Sequence, residues 1–174
     1  YEVIYVDDHS SDSSWKILQN LQANNINIVK VIRLAKNVGQ HESLMCGLNF
    51  SKGESIVTMD DDLEHSPRDI EVLLEAKKDS NSSMLYGMYP SDKSQRVRRM
   101  LKRVYRFLSK SEGINKAEGS SFRLLDASIV NNIKKHEYSF IWLDEMFLWY
   151  NPNPEFVQLN RVDNGANKVS RYSL

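Results

Sequence analysis

The chain has 174 residues, 41% of them hydrophobic, and its 23 basic and 23 acidic side chains cancel to a formal net charge of zero. That length supports one domain with a real core, and the charge balance excludes bulk electrostatics as a reason to bind a polyanion. The single cysteine, Cys46, excludes an internal disulfide, and no apolar run approaches the roughly 18 residues of a membrane-spanning helix.

Short apolar runs alternate with helical patterns along the chain, which predicts an α/β fold with a mostly parallel sheet flanked by helices. Val3 to Val6 reads as a strand covered on both faces. Asp7-Asp8-His9-Ser10-Ser11-Asp12 then supplies caps for a helix carrying Trp15, Leu18 and Leu21. Ile28 to Leu34 is the second expected strand, with Lys36-Asn37-Val38-Gly39 as its exit turn. The next helix holds Leu44, Met45, Cys46 and Leu48 and is expected to stop at Lys52-Gly53. Ile56 to Met59 reads as the end of a buried strand that runs into Asp60, Asp61 and Asp62.

Ser66-Pro67-Arg68-Asp69 is a helix start: Ser66 as N-cap, Pro67 at the first helical position and Asp69 as the acid of a capping box. Ile70, Leu73 and Leu74 form its apolar stripe, Met84 to Tyr89 reads as a further strand, and Pro90-Ser91-Asp92 as an exposed break. Acids dominate from Asp60 to Glu75, whereas Lys93 to Lys110 is basic. Within that basic stretch Val97, Leu101, Val104, Tyr105 and Leu108 recur at helical spacing, which predicts a basic amphipathic helix. Such a helix is ordinarily a solvated surface element, but it also suits an anionic membrane surface. Phe140 to Trp149 is apolar except for Asp144 and Glu145, which read either as a reactive carboxylate or as caps of a helix packed by Trp142, Met146 and Trp149. Arg161 to Leu174 is polar and basic. Tyr1 enters directly into a strand, so the chain is expected to be a fragment.

The acidic triplet carries the most specific chemistry. Like charges about 4 Å apart repel by roughly 4 kcal/mol at an effective dielectric of 20, so a partly buried triplet calls for a cation. In extended backbone Asp60 and Asp62 would share one side, where both could face a single Mg2+ or Mn2+ completed by substrate phosphates. The bland alternative is a solvated acidic turn.

The series strand, Asp7-Asp8-x-Ser-x-Asp12, Asn37-x-Gly39, Gly47 and Asp60-Asp61-Asp62-Leu63-Glu64-His65-Ser66-Pro67 resembles the family 2 glycosyltransferases with the GT-A fold. Gly119-Ser-Ser-Phe122-Arg123-Leu-Leu-Asp126 and Arg161-x-x-x-Gly165-x-x-Lys168 are similar to the branch containing dolichyl-phosphate mannose synthase and bacterial polyprenyl-phosphate glycosyltransferases. The resemblance implies a GT-A (Rossmann-like) single catalytic domain over 1–174, with a nucleotide-binding part at about 1–90, an acceptor-side part at about 91–174, and the family's first strand missing. It also implies that Asp8 contacts the nucleotide base, Asp7 shapes that pocket, and Asn37 and Gly39 border the nucleotide. Asp62 and then Asp60 would be the metal ligands, with Asp61 nearer the ribose or sugar. Asp144 is the matching acceptor-side carboxylate, and Arg123 together with Arg98, Arg99 and Arg103 would face an acceptor phosphate. Glu64 stands where this branch often has Gln, His9 where Gly is common, and Asn167 where Ser is usual.

The implied activity is metal-dependent (Mg2+ or Mn2+), inverting transfer of a sugar from a UDP- or GDP-linked donor to polyprenyl phosphate at the cytoplasmic membrane face. A saccharide hydroxyl is the alternative acceptor, and it would need Asp144 as a base, whereas a phosphate monoester is already largely dianionic at neutral pH. A non-catalytic nucleotide-sugar binding fragment is the non-enzymatic alternative. A membrane surface is the expected partner of the longer protein and nucleic acid is not, while homo-oligomer formation stays open.

Overall fold

The computed structural model describes residues 1–89, 121–136, 143–151 and 153–160. In chain order these form β1 (Val3–Asp7), α1 (Ser14–Asn24), β2 (Val29–Arg33), α2 (Gln40–Phe50), β3 (Ser55–Thr58), α3 (Arg68–Asp79), β4 (Met84–Met88), β5 (Arg123–Asp126), α4 (Ala127–Lys134), α5 (Leu143–Tyr150) and β6 (Glu155–Gln158). The basic segment with Arg98, Arg99 and Arg103, residues Phe140 to Trp142, and the motif from Arg161 to Lys168 lie outside the described residues.

The strands form two sheets among the described residues. β1 pairs in parallel with β2, and a second sheet has the order β3-β5-β4-β6. In that second sheet β4 and β6 are parallel, while β5 is antiparallel to both of its neighbours. Among the described residues of this sheet β3, β4 and β6 therefore run one way and β5 runs the other.

The core follows the period-2 alternation of β4. Met84 and Tyr86 join a cluster with Leu125, Ile129, Val130, Ile133, Leu143, Met146 and Phe147, against which Ile56 also packs. Leu85 joins the opposite cluster with Leu73, Phe122, Leu124 and Leu159, and Val57 packs there. Successive side chains of a strand point to opposite faces, so these clusters are the two faces of the sheet, with α2, α4 and α5 on one and α3 on the other. Gly87 in β4 permits a close approach: a Cβ there would lie 2.4 Å from Cδ1 of Phe122.

Three expectations change. β1 is not covered on both faces: Tyr5 is 39% exposed and only Asp7 of the strand is buried. The strand has β2 alone as a partner among the described residues, so its backbone is paired on one side only. α2 ends at Phe50 with an extended Ser51 as C-cap, earlier than Lys52-Gly53. Trp149 is 48% exposed and is not part of the buried packing of its helix. Half of the expected capping box of α3 forms: Asp69 accepts from the Ser66 amide at 2.9 Å, while Ser66 Oγ accepts from the Arg68 amide at 3.3 Å in place of the Asp69 amide, and Pro67 stands as the N-cap. Cys46 lies within α2, where burial pushes its thiol pKa up, as expected of an inert helix residue.

Candidate active site

β1 and β2 deliver their loops to the same end. Asp7 closes β1 with its side chain 1% exposed, 3.2 Å from Arg33 Nε at the end of β2, and it accepts from the Ser10 amide at 3.1 Å. It braces the loop from inside. Asp8 points the other way along the loop. Its Oδ1 accepts from the Val38 amide and its Oδ2 from the Gly39 amide, both at 2.8 Å. The carboxylate thus clamps the turn that carries Asn37, Val38 and Gly39 into α2. Gly39 has φ +104°, a conformation that other residues rarely adopt. His9 has φ +60° and its Nδ1 lies 3.2 Å from the Leu34 carbonyl oxygen, so this position, where the resemblance led one to expect Gly, has left-handed backbone.

The acidic loop joins this assembly through α2. Thr58 Oγ1 donates to the Ser121 carbonyl at 2.7 Å and pins the end of β3. Two residues later, Asp60 Oδ1 accepts from Nε2 of Gln40, the first residue of α2, at 2.8 Å. A chain of hydrogen bonds therefore runs from Asp8 through the Gly39-Gln40 turn to Asp60 and unites three loops that follow β1, β2 and β3. Ligands of open α/β sheets bind outside the carboxyl ends of strands, which is where these loops meet.

The triplet departs from the extended geometry expected of it. Residues 61–65 bend, and Leu63 has φ +62°. Asp60 is half-buried, whereas Asp61 and Asp62 are exposed, so water screens much of their repulsion. Asp62 Oδ1 accepts from the Glu64 amide at 2.9 Å and closes a local turn. Among the described residues no group of three or more His, Cys, Asp or Glu side chains gathers as a metal-holding set. Among the described residues Asp60 and Asp62 each keep one oxygen outside the hydrogen bonds just named, and one or two carboxylates completed by phosphate oxygens is the usual complement of magnesium.

Two further contacts were not announced by the sequence. His65 stacks against Tyr89 and Phe122, with ring centroids 5.3 and 4.8 Å away. Arg123 and Asp144 pair with each other: Nη2 lies 2.6 Å from Oδ1, a charge contact without hydrogen-bond alignment, with side chains 6% and 32% exposed. The guanidinium also sits 5.1 Å from the Phe147 ring and 5.7 Å from the Tyr86 ring. Arg123 thus packs against two aromatic rings and faces Asp144. It lies in register with Thr58 of β3, so the pair is one strand away from the start of the acidic loop.

Tyr86 is buried beneath this pair, and its hydroxyl has no hydrogen-bond partner among the described residues. Burial, with Arg123 opposing and Asp144 adding, pushes its pKa from 10.0 up to about 12. The neutral phenol is the form that folding favours, so this contribution to stability is present below pH 10 and is lost as pH rises toward 12. Tyr86→Phe removes an unsatisfied buried hydroxyl and is expected to raise stability at neutral pH by about 1 kcal/mol. Urea unfolding of the variant should also lack part of the alkaline decline between pH 10 and about 12, which in the unaltered chain is worth roughly 2 kcal/mol.

Comparison with known proteins adds identity to this geometry. The family model described as "Glycosyl transferase family 2" matches residues 1–141. An undecaprenyl-phosphate 4-deoxy-4-formamido-L-arabinose transferase of Edwardsiella ictaluri is 41% identical over 76 residues, which cover 44% of this chain and 23% of that protein. The crystal structure of S. aureus TarS 1-349 superimposes with a TM-score of 0.59 at 14% identity over 90% of this chain and 48% of that one. Glucosyl-3-phosphoglycerate synthase from Mycobacterium tuberculosis, in complex with Mn2+, UDP-glucose and glycerol 3-phosphate, gives 0.50 at 16% identity over 72% of this chain and 46% of that one. The chain spans half or less of the length of each of these proteins.

Proposed function

Because the chain belongs to glycosyl transferase family 2, we propose that it carries the donor-binding core of an inverting, divalent-metal-dependent transferase that moves a sugar from a nucleoside diphosphate to polyprenyl phosphate at the cytoplasmic face of a membrane. The observation that carries this reading is the hydrogen-bond chain from Asp8 through Gly39 and Gln40 to Asp60. It gathers the nucleotide-side loops and the acidic loop into one rim, as a nucleoside diphosphate spanning base to phosphate requires. The named acceptor of the E. ictaluri relative, undecaprenyl phosphate, supports the acceptor class, and the Mn2+ and UDP-glucose of the M. tuberculosis synthase support the donor and metal. No helix of the described residues is long and apolar enough to cross a membrane.

In the reaction the bond between the anomeric carbon and the diphosphate oxygen breaks, the nucleoside diphosphate leaves with the electron pair, and the acceptor oxygen bonds to the opposite face of that carbon. Asp62 and Asp60 would hold the metal, which when bound offsets the negative charge developing on the leaving group. Asp8 orders the turn bordering the nucleotide and leaves a lone pair on each oxygen for the base. Gly39 brings the backbone close at the start of α2, with Asn37 beside it, and Asp61 lies exposed nearer the sugar. Arg98, Arg99 and Arg103 are the proposed acceptor-phosphate contacts.

A second reading, transfer to a saccharide hydroxyl, is favoured by one observation: Asp144 is a partly exposed carboxylate held by Arg123, as a base would be. Calorimetric titration with UDP- and GDP-sugars, with and without Mn2+, tests the donor side. Binding that depends on Mn2+ and falls at least tenfold in Asp62→Asn is expected, and equal binding by the variant would refute the metal assignment.

A further inference from the structure

The backbone of the acidic loop is held by more than its acids. Leu63 is in the left-handed region, 86% exposed and with no packing of its own, and a non-glycine residue persists there only where its surroundings over-determine the chain. Immediately after it the chain is seized. His65 lies between Tyr89 and Phe122, nearly parallel to both at interplanar angles of 15° and 18°. The next amide, Ser66, donates to Asp69, and Tyr89 donates its hydroxyl to the same carboxylate oxygen. Phe122 is itself fixed: its carbonyl accepts from the Gly87 amide at 3.0 Å, and its ring fills the space that a side chain at Gly87 would occupy. One imidazole therefore ties the loop to the end of β4 and to the start of β5, and the Ser66 amide beside it ties the loop to α3.

Resting on the metal reading above, we propose that His65 is a positioning residue whose stacked ring sets the Asp60–Glu64 loop in the conformation that takes a divalent cation. The ring acts through its faces. Its Nδ1 is buried without a hydrogen-bond partner among the described residues, so the plane, not that nitrogen, makes the contacts. Offset aromatic contacts of this kind stabilise a packed ring beyond area burial. A ring of the same shape without nitrogen should therefore serve, and a small side chain should not.

Mn2+ titration calorimetry on the full chain, paired with hydrogen exchange of the 60–66 amides in metal-free protein, tests this with His65→Ala and His65→Phe. His65→Ala is expected to weaken Mn2+ binding about tenfold and to speed exchange in that loop while α1 is unchanged; His65→Phe restores both to within about threefold. Mn2+ affinity unchanged by His65→Ala, or His65→Phe as weak as His65→Ala, would overturn the stacking clamp. Absence of Mn2+ binding by the unaltered chain would instead sink the metal reading and the purpose assigned to the clamp, and loop exchange accelerated by His65→Ala marks that failure as distinct from failure of the stacking.

Discussion

Asp144→Ala is expected to destabilise the chain by about 2–4 kcal/mol, the cost of leaving the Arg123 guanidinium in an aromatic enclosure without its carboxylate. The side chain of Arg123 is 6% exposed, so water cannot replace the lost partner, whereas the 32% exposure of Asp144 lowers the cost below that of a fully buried pair. Arg123→Met with Asp144→Leu should recover most of the loss, because a well-packed apolar pair needs no compensation for desolvated charge. Urea unfolding of the two single variants and the double variant measures the coupling, and additive losses would show that the ion pair contributes nothing. Asp144→Asn separates structure from chemistry. With a polyprenyl-phosphate acceptor, transfer should fall less than about tenfold, since the attacking oxygen is already deprotonated; with a saccharide acceptor it should fall by roughly 10²–10⁴, the usual contribution of a general base. Retained transfer to saccharides would remove Asp144 from the chemistry.

The strands β1 to β4 and the helices α1 to α3 were legible because their apolar residues repeat at the period of the element, and the Ser66–Asp69 start carries its cap within four residues. β5 and β6 were not seen as strands. Each has four residues, too few to show an alternation, and β5 is defined by its two antiparallel neighbours, Ile56-Val57 and Met84-Leu85, from distant parts of the chain. The motifs of the site were legible in kind, while their contacts were not. Asp144 finds Arg123 across 21 positions and Asp8 finds backbone amides 30 and 31 positions away, partners that no residue type announces. The extended geometry assumed for the triplet gave way to a bend that begins at Asp61 and runs through Leu63, a residue with no chemical preference for left-handed backbone. His65 was quoted within the motif but had no assigned role, since its stacking partners come from beyond β4 and before β5.

The clamp by Asp8 gives the largest effect expected on the donor side. Asp8→Ala removes the acceptor of two backbone amides, Val38 and Gly39, and frees the turn that must be ordered before a nucleotide can lie against α2. Ordering two backbone residues costs roughly 2–4 kcal/mol, which binding would then have to supply, so affinity for UDP or GDP should fall about 100-fold. Asp8→Asn keeps one acceptor oxygen but turns an N–H toward the other amide, so it should lie nearer the alanine variant than the unaltered chain. Gln40→Ala breaks only the last link, from α2 to Asp60, and should cost less, about three- to tenfold. If the three loops act as one assembly, Asp8→Ala with Gln40→Ala will lose less than the two single losses combined, because the first break already releases the turn on which Gln40 sits. Calorimetric titration of the four proteins with the same nucleotide decides this. Full additivity would mean that the nucleotide-side turn and the acidic loop are neighbours and not a coupled rim, while unchanged affinity in Asp8→Ala would take the clamp out of donor binding.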